Sequence, residues 1–216
     1  MDWQNIDTVL LDMDGTLLDL HFDTFFWLQH LPVRYAQLHS MDQTEARQWL
    51  HQRIREEQGT LNWYCLDYWS AELKVNIAEL KREIRERIAF RPHVQDFLAH
   101  LRSESKRTVI VTNAHRDSLD LKLEETGLDQ LVDRIISSHD YQIAKEDQGF
   151  WRQLQQDEPF DPARTLLVDD SLAVLQSARQ YGIGHLLSIS QPDSQQPKRE
   201  IDDFKAIEHF NEIISK

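Results

Sequence analysis

Branched apolar residues gather in five short runs along the chain, at residues 6–12, 107–112, 134–138, 165–169 and 185–189. Each is too short for a buried helix and reads as a strand. Between the last four, apolar positions recur instead at three- and four-residue spacing. Leu119 and Leu123, with a stop at Gly127, outline one helix. Phe150, Trp151 and Leu154 outline a second, and Leu172, Leu175 and Ala178, with a stop at Gly182, a third. Strand alternating with helix predicts an α/β fold, a doubly wound parallel sheet of Rossmann-like type.

Residues 20–89 follow another pattern, with no convincing strand and several helical stretches. Ala46, Trp49, Leu50 and Ile54 share one face; Leu61, Tyr64, Cys65 and Tyr68 mark another. Ile77, Leu80, Ile84 and Ile88 form a third, opened by Asn76 as a helix cap. A helical block this large between the first and second strands exceeds a simple crossover. It predicts an inserted α-helical cap domain at 20–89, over a core domain formed by 1–19 and 90–216. Residues 191–198, with two prolines, read as a loop before a last helix.

A chain of 216 residues, 40% of them hydrophobic, can bury a full core. It has no long uncharged apolar run, and its first residues are polar and acidic, unlike a secretory signal. Cys65, the single cysteine, cannot form an internal disulfide, so a cytoplasmic setting is expected. The formal charge of −13 argues against nucleic acid and anionic membranes as partners. The expected partner is a small molecule, with the protein acting as a monomer or homodimer. Any anionic ligand would need positive charge supplied locally.

Candidate chemistry lies where the strands end. The first passes into Asp12-Met13-Asp14-Gly15-Thr16. Side chains two apart on a strand share a face, so Asp12 and Asp14 reach into one space at the edge where such a sheet holds its ligand. Carboxylates this close need a divalent cation between them or a proton on one; an ordinary surface turn is the plainer reading. The second strand ends in Thr112-Asn113. Lys145 follows the third by a short loop and opens the next helix, and the fourth ends in Asp169-Asp170-Ser171. Each signal is weak alone, but their order along one sheet edge gives them weight.

That order, Asp-Met-Asp-Gly-Thr, Thr-Asn, Lys, Asp-Asp, resembles the four motifs of the haloacid dehalogenase-like hydrolase superfamily over essentially the whole chain. Within it, Leu61-Asn62-Trp63-Tyr64-Cys65-Leu66-Asp67-Tyr68-Trp69, Thr112-Asn113-Ala114-His115 and Lys145-Glu146-Asp147-Gln148 resemble the bacterial GMP/IMP nucleotidases, a purine 5′-nucleotidase family. One departure is visible: Gln142-Ile143-Ala144 stands where that family suggests a Gly-x-Pro turn.

The resemblance implies a Mg²⁺-dependent phosphatase acting on a purine 5′-monophosphate. Asp12 would be the nucleophile and Asp14 the general acid and base. Lys145 would neutralise the nucleophile and a phosphate oxygen, and Thr112 and Asn113 would bind phosphate. Asp12, Asp14 through its backbone carbonyl, and Asp170 would hold the metal, with Asp169 supporting from outside. Asp14 argues against carbon–halogen cleavage, which has no leaving oxygen to protonate. Trp27, Trp63, Tyr64 and Trp69 would either stack on a purine or form cap core. Asn62 and Asp67 are candidates for the base edge, Asp19 and Asp23 for the hinge. His115 and His93 lie near the motif edge, His115 either holding the phosphate loop or simply packed. The alternatives are a phosphatase or phosphomutase of sugar phosphates or phosphoglycolate, and a catalytically silent binding module.

Overall fold

The computed structural model describes residues 1–214. Six strands form one parallel sheet: β1 (Thr8–Leu11), β2 (Arg107–Thr112), β3 (Arg134–Ser137), β4 (Thr165–Asp169), β5 (His185–Ile189) and β6 (Ala206–Ile207), in the order β3-β2-β1-β4-β5-β6. The chain winds outward from β1 to β2 and β3, then returns to β4 on its other side. The strand order therefore reverses next to β1, and a crevice opens there at the carboxyl ends of β1, β2 and β4.

Alternation along the strands builds a core on each face. Val9 and Leu11 of β1, Ile110 and Val168 join Val94, Phe97, Leu101, Leu119 and Phe210 on one side. Leu10, Val109, Val111 and Leu167 turn the other way, onto Phe150, Trp151, Leu154, Val174 and Leu175. Apart from Phe210, the helical partners come from Val94–Ser103, Arg116–Thr126, Gln148–Asp157 and Leu172–Tyr181, of which the second and fourth stop at the expected glycines. Gly127 and Gly182 take φ of 63° and 105°, and each accepts the left-handed conformation that closes the preceding helix.

Between β1 and β2 the chain forms a series of helices joined by turns. His21–Phe25, a π-turn at Phe26–His30 and Leu31–His39 run as one continuous helix, followed by Gln43–Glu56, Leu61–Tyr64, Leu66–Leu73 and Ile77–Arg82. This insertion has its own core of Phe22, Phe26, Leu31, Leu50, Trp69, Leu73, Ile77 and Leu80. It leaves and returns by adjoining connectors: Leu18 bridges Phe90 in antiparallel fashion, and the Asp19 amide donates to the Ala89 carbonyl at 2.9 Å.

Several local expectations need correction. The stretch from Leu61 to Tyr68 is broken at Cys65, which is extended (φ −85°, ψ 111°) and caps the following helix. The run from Ile77 to Ile88 is a helix only to Arg82, then a 3-10 turn at Arg85–Arg87; Asn76 does cap it, accepting the Glu79 amide at 3.1 Å. Trp49 is 40% exposed and stacks on Tyr35 rather than entering the core. Among the described residues no last helix follows the 191–198 loop. The chain adds β6 beside β5 and makes one 3-10 turn at Phe210–Glu212, where Phe210 stacks on Phe97 at 4.3 Å. The third strand stops at Ser137, and Ser138 begins a helical turn. Lys145 sits in a loop; its helix begins at Gln148, capped by Asp147.

Candidate active site

The turn after β1 brings its acids to the crevice. Asp12 continues the ladder by donating its amide to Val168 at 2.9 Å. Gly15 takes φ of +84°, and a Cβ there would lie 2.9 Å from the Asp170 carboxyl carbon. Glycine is thus required both by the backbone and by the close approach of the loops after β1 and β4.

Lys145 is the hub of the site. Its Nζ donates to Asp12 Oδ1 at 2.6 Å, Asp169 Oδ2 at 2.7 Å and the Val111 carbonyl at 3.0 Å, which uses all three protons. Asn113 fixes the lysine's loop: its Oδ1 accepts the Lys145 amide at 3.0 Å and its Nδ2 donates to Glu146 at 3.0 Å. The Asn113 side chain therefore organises the loop instead of pointing free into the cavity it lines. Thr112 is buried, and its Oγ1 accepts the Ala114 amide at 3.0 Å. Where a Gly-x-Pro turn was expected, Gln142 adopts the left-handed conformation at φ 56°, at a cost of about 1–2 kcal/mol for a side-chain-bearing residue.

Oxygen atoms of Asp12, Asp169 and Asp170 lie within 4.8 Å of one another. Both Asp169 oxygens are engaged, one by Lys145 and one by the Ser171 amide at 2.8 Å, so Asp169 buttresses the other two. Asp170 has no such partner. The nearest cation is Arg199, 3.9 Å from Oδ2, and that arginine donates instead to the Asp170 carbonyl at 2.8 Å. Burial, then Asp12 and Asp169, push the Asp170 carboxyl well above its usual range. Burial also lifts Asp12 to about 6, against the pull of Lys145. Three carboxylates against one ammonium leave uncompensated negative charge with oxygen donors, which suits a hard divalent cation.

The Asp14 carboxylate turns elsewhere. Lys122 Nζ, from helix Arg116–Thr126, lies 2.7 Å from its Oδ1, a close ion pair whose angles fall short of a hydrogen bond. Lys122 also donates to Asp23 of the insertion at 2.7 Å, and Asp23 in turn takes Lys81, which is buried against the rings of Phe22 and Phe26. Burial raises Asp14 to about 6, with Lys122 opposing and Asp23 adding to the rise. Burial opposes charge on Asp23 and Lys122 as well. The two lysines outweigh it and hold Asp23 far below the usual carboxylate value, while Asp14 and Asp23 hold Lys122 above the usual lysine value. Of this alternating chain of charges the sequence singles out Asp14 and, as a hinge candidate, Asp23, but neither lysine. The one sequence signal for Lys122 is position: it falls four residues after Ser118 and three after Leu119, on the inward face of its helix. Nothing local marks Lys81 or Arg199.

A cavity of about 590 Å³ joins these groups to the insertion. Asp12, Asp14, Lys145 and Asp170 line it from the core, and Trp27, Trp63, Tyr64 and Trp69 from the insertion. Trp69 is also core, 1% exposed and in edge-to-face contact with Trp27 at 5.8 Å, so it both packs the insertion and lines the cavity. The Tyr64 hydroxyl donates to Glu146 at 2.8 Å and ties the insertion to the Lys145 loop. Asn62 and Asp67 are exposed and do not line the cavity, and neither does His93. His115 does. Asp19 accepts the amides of His21 and Ser194, both at 3.0 Å, at the junction with the insertion.

Residues 6–182 match the model of the haloacid dehalogenase-like hydrolases. The chain belongs to that family. It is 39% identical over 212 residues to the GMP/IMP nucleotidase YrfG of Escherichia coli (strain K12), covering 98% of this chain and 96% of that protein. It is 26% identical over 180 residues to a phosphoglycolate phosphatase of Synechococcus elongatus, covering 82% and 81%. Among solved structures, the fold is similar to a HAD phosphatase from Thermococcus onnurineus, with a TM-score of 0.77 at 20% identity over 93% of each chain. Family and relatives together support a phosphoric monoester hydrolase. Among the described residues no helix is long and apolar enough to cross a membrane.

Proposed function

We propose that this protein is a cytoplasmic Mg²⁺-dependent phosphatase that hydrolyses purine nucleoside 5′-monophosphates, GMP and IMP foremost, with residues 20–89 as its cap. The observation that carries the reading is one cavity shared by the Asp12–Lys145–Asp170 group and four aromatic rings. Near-full-length similarity to a GMP/IMP nucleotidase supports the choice of nucleotide.

An anionic nucleophile approaching a phosphoryl group meets repulsion of about 4 kcal/mol per pair of unit charges 4 Å apart at an effective dielectric of 20. Mg²⁺ held by Asp12, Asp170 and the Asp14 carbonyl would offset that repulsion and orient the phosphate. Lys145 steadies Asp12 at 2.6 Å and shares the load. Asp12 attacks phosphorus, the P–O bond to the ribose breaks, and the leaving oxygen takes the Asp14 proton. Asp14, now a carboxylate, removes a proton from a water that attacks the aspartyl-phosphate, releasing inorganic phosphate and regenerating Asp12. A value near 6 suits Asp14 to both transfers. Thr112 and neighbouring amides receive phosphate oxygens, and Trp27 and Trp63 offer faces to the purine.

The test is a panel of phosphate esters with Mg²⁺, using Asp12→Asn as background. IMP and GMP should give the highest kcat/KM, EDTA should stop turnover and Mg²⁺ restore it, and Asp12→Asn should lose at least 10³-fold while keeping its fold. Faster turnover of phosphoglycolate or sugar phosphates would replace the nucleotide assignment with the alternative suggested by the Synechococcus relative.

A further inference from the structure

We propose that Cys65, His115 and His139 form a second metal site, selective for Zn²⁺, on the seam between the helical insertion and the core. Cys65 comes from the break between two helices of the insertion, His115 from the start of helix Arg116–Thr126, and His139 from the turn after β3. One donor atom from each lies within 4.8 Å of the other two. Tetrahedral Zn²⁺, with bonds of about 2.0–2.3 Å to nitrogen and sulfur, needs donors roughly 3.3–3.8 Å apart. About an ångström of side-chain movement closes the set.

The imidazole of His139 is poised as a ligand. Its Nε2 is buried and has no partner, a state that calls for explanation in a folded protein. The two imidazoles meet edge to face at 5.0 Å. Cys65 Sγ accepts the Tyr68 amide at 3.5 Å, so a metal-bound thiolate would sit at the positive end of helix Leu66–Leu73. Asp67 Oδ2, 3.5 Å from His115 Nε2, is placed to orient that ring or complete the coordination.

Sulfur and imidazole donors select Zn²⁺ over Mg²⁺, whereas the all-oxygen group at Asp12 and Asp170 selects the reverse. The two sites therefore answer to different ions. Because its ligands come from both sides of the seam, bound Zn²⁺ fastens the insertion to the core beside the Tyr64–Glu146 hydrogen bond. Asp12 and His115 line the same cavity, so an ion held at His115 hinders substrate entry and lowers turnover. Only this effect on rate rests on the proposed phosphatase activity.

The experiment uses the full chain in saturating Mg²⁺, with Zn²⁺ titrated against a chromophoric chelator. One Zn²⁺ should bind that Mg²⁺ does not displace. Co²⁺ in its place should give thiolate-to-metal charge-transfer absorption. Cys65→Ser keeps an oxygen to cap Leu66–Leu73, so the fold is retained. It should weaken Zn²⁺ at least 30-fold, lose the Co²⁺ band, and keep its Mg²⁺-supported turnover while escaping a fivefold or greater inhibition by Zn²⁺. His139→Asn should weaken Zn²⁺ similarly. Unchanged Zn²⁺ affinity in Cys65→Ser, or Zn²⁺ displaced in proportion to Mg²⁺, overturns the site and assigns binding to the carboxylates. The binding and Co²⁺ readouts stand whether or not any phosphate ester is turned over.

Discussion

Asp12, Asp169 and Asp170 face a single ammonium, and that imbalance has consequences for stability as well as chemistry. Asp170 is raised far above its unfolded value of about 3.9 by burial and its two neighbours. A carboxyl raised in this way stabilises the fold fully below the unfolded value, and that stability is lost as pH rises through the folded one. Asp170→Asn should therefore melt higher than the native protein at pH 8 in EDTA, by about 2–4 °C for each kcal/mol relieved. The gap should close near pH 4, and calorimetry at the two pH values measures it. A second outcome concerns Lys122, the partner of Asp14. Lys122→Met removes the charge that holds the Asp14 carboxyl down, so the pH optimum of kcat should move upward and kcat at pH 7 should fall at least tenfold, with KM changing less. The acids and Thr112 were legible because a carboxylate or hydroxyl at the end of an apolar strand has few packing reasons to be there, and Lys145 because it follows in the same order one connection later. Lys122 and Lys81 were not, because a lysine in a helix ordinarily lies on its solvated face and only tertiary contacts show these two buried.

At the scale of elements, the five longer strands could be read from apolar runs, since burial on both faces leaves little room for polar residues. β6 could not. Two residues carry no period, and Ala206–Ile207 pairs only because β5 offers an edge. The insertion was legible as helical but not in its breaks. Leu61 to Tyr68 keeps helical spacing across Cys65 although the backbone is extended there, so the period alone cannot reveal the interruption. That break turns Trp63 and Tyr64 toward the cavity. Trp63→Ala should therefore raise KM for IMP by about fivefold or more, on the 1–3 kcal/mol typical of base–aromatic stacking. A small ester without a base should be nearly unaffected, and parallel kinetics on both substrates separates the two cases.

For the whole molecule, a formal charge of −13 surrounds a cavity built to receive an anion. Lys81, Lys122 and Lys145, all near 2% exposed, supply its positive charge from within. Long-range repulsion between protein and phosphate ester is screened by salt, so kcat/KM should rise severalfold between about 10 mM and 150 mM ionic strength at constant Mg²⁺. A flat or falling dependence would show that the field at the cavity mouth is already positive.

The paired connectors, Leu18 against Phe90 and Asp19 against Ala89, make one narrow doorway through which some seventy residues depart and come home. Entry and exit of the whole block rest on that one bridge and one hydrogen bond beside β1. Because Asp23 of that threaded block shares Lys122 with Asp14, block and platform are joined by charge as well as by the chain.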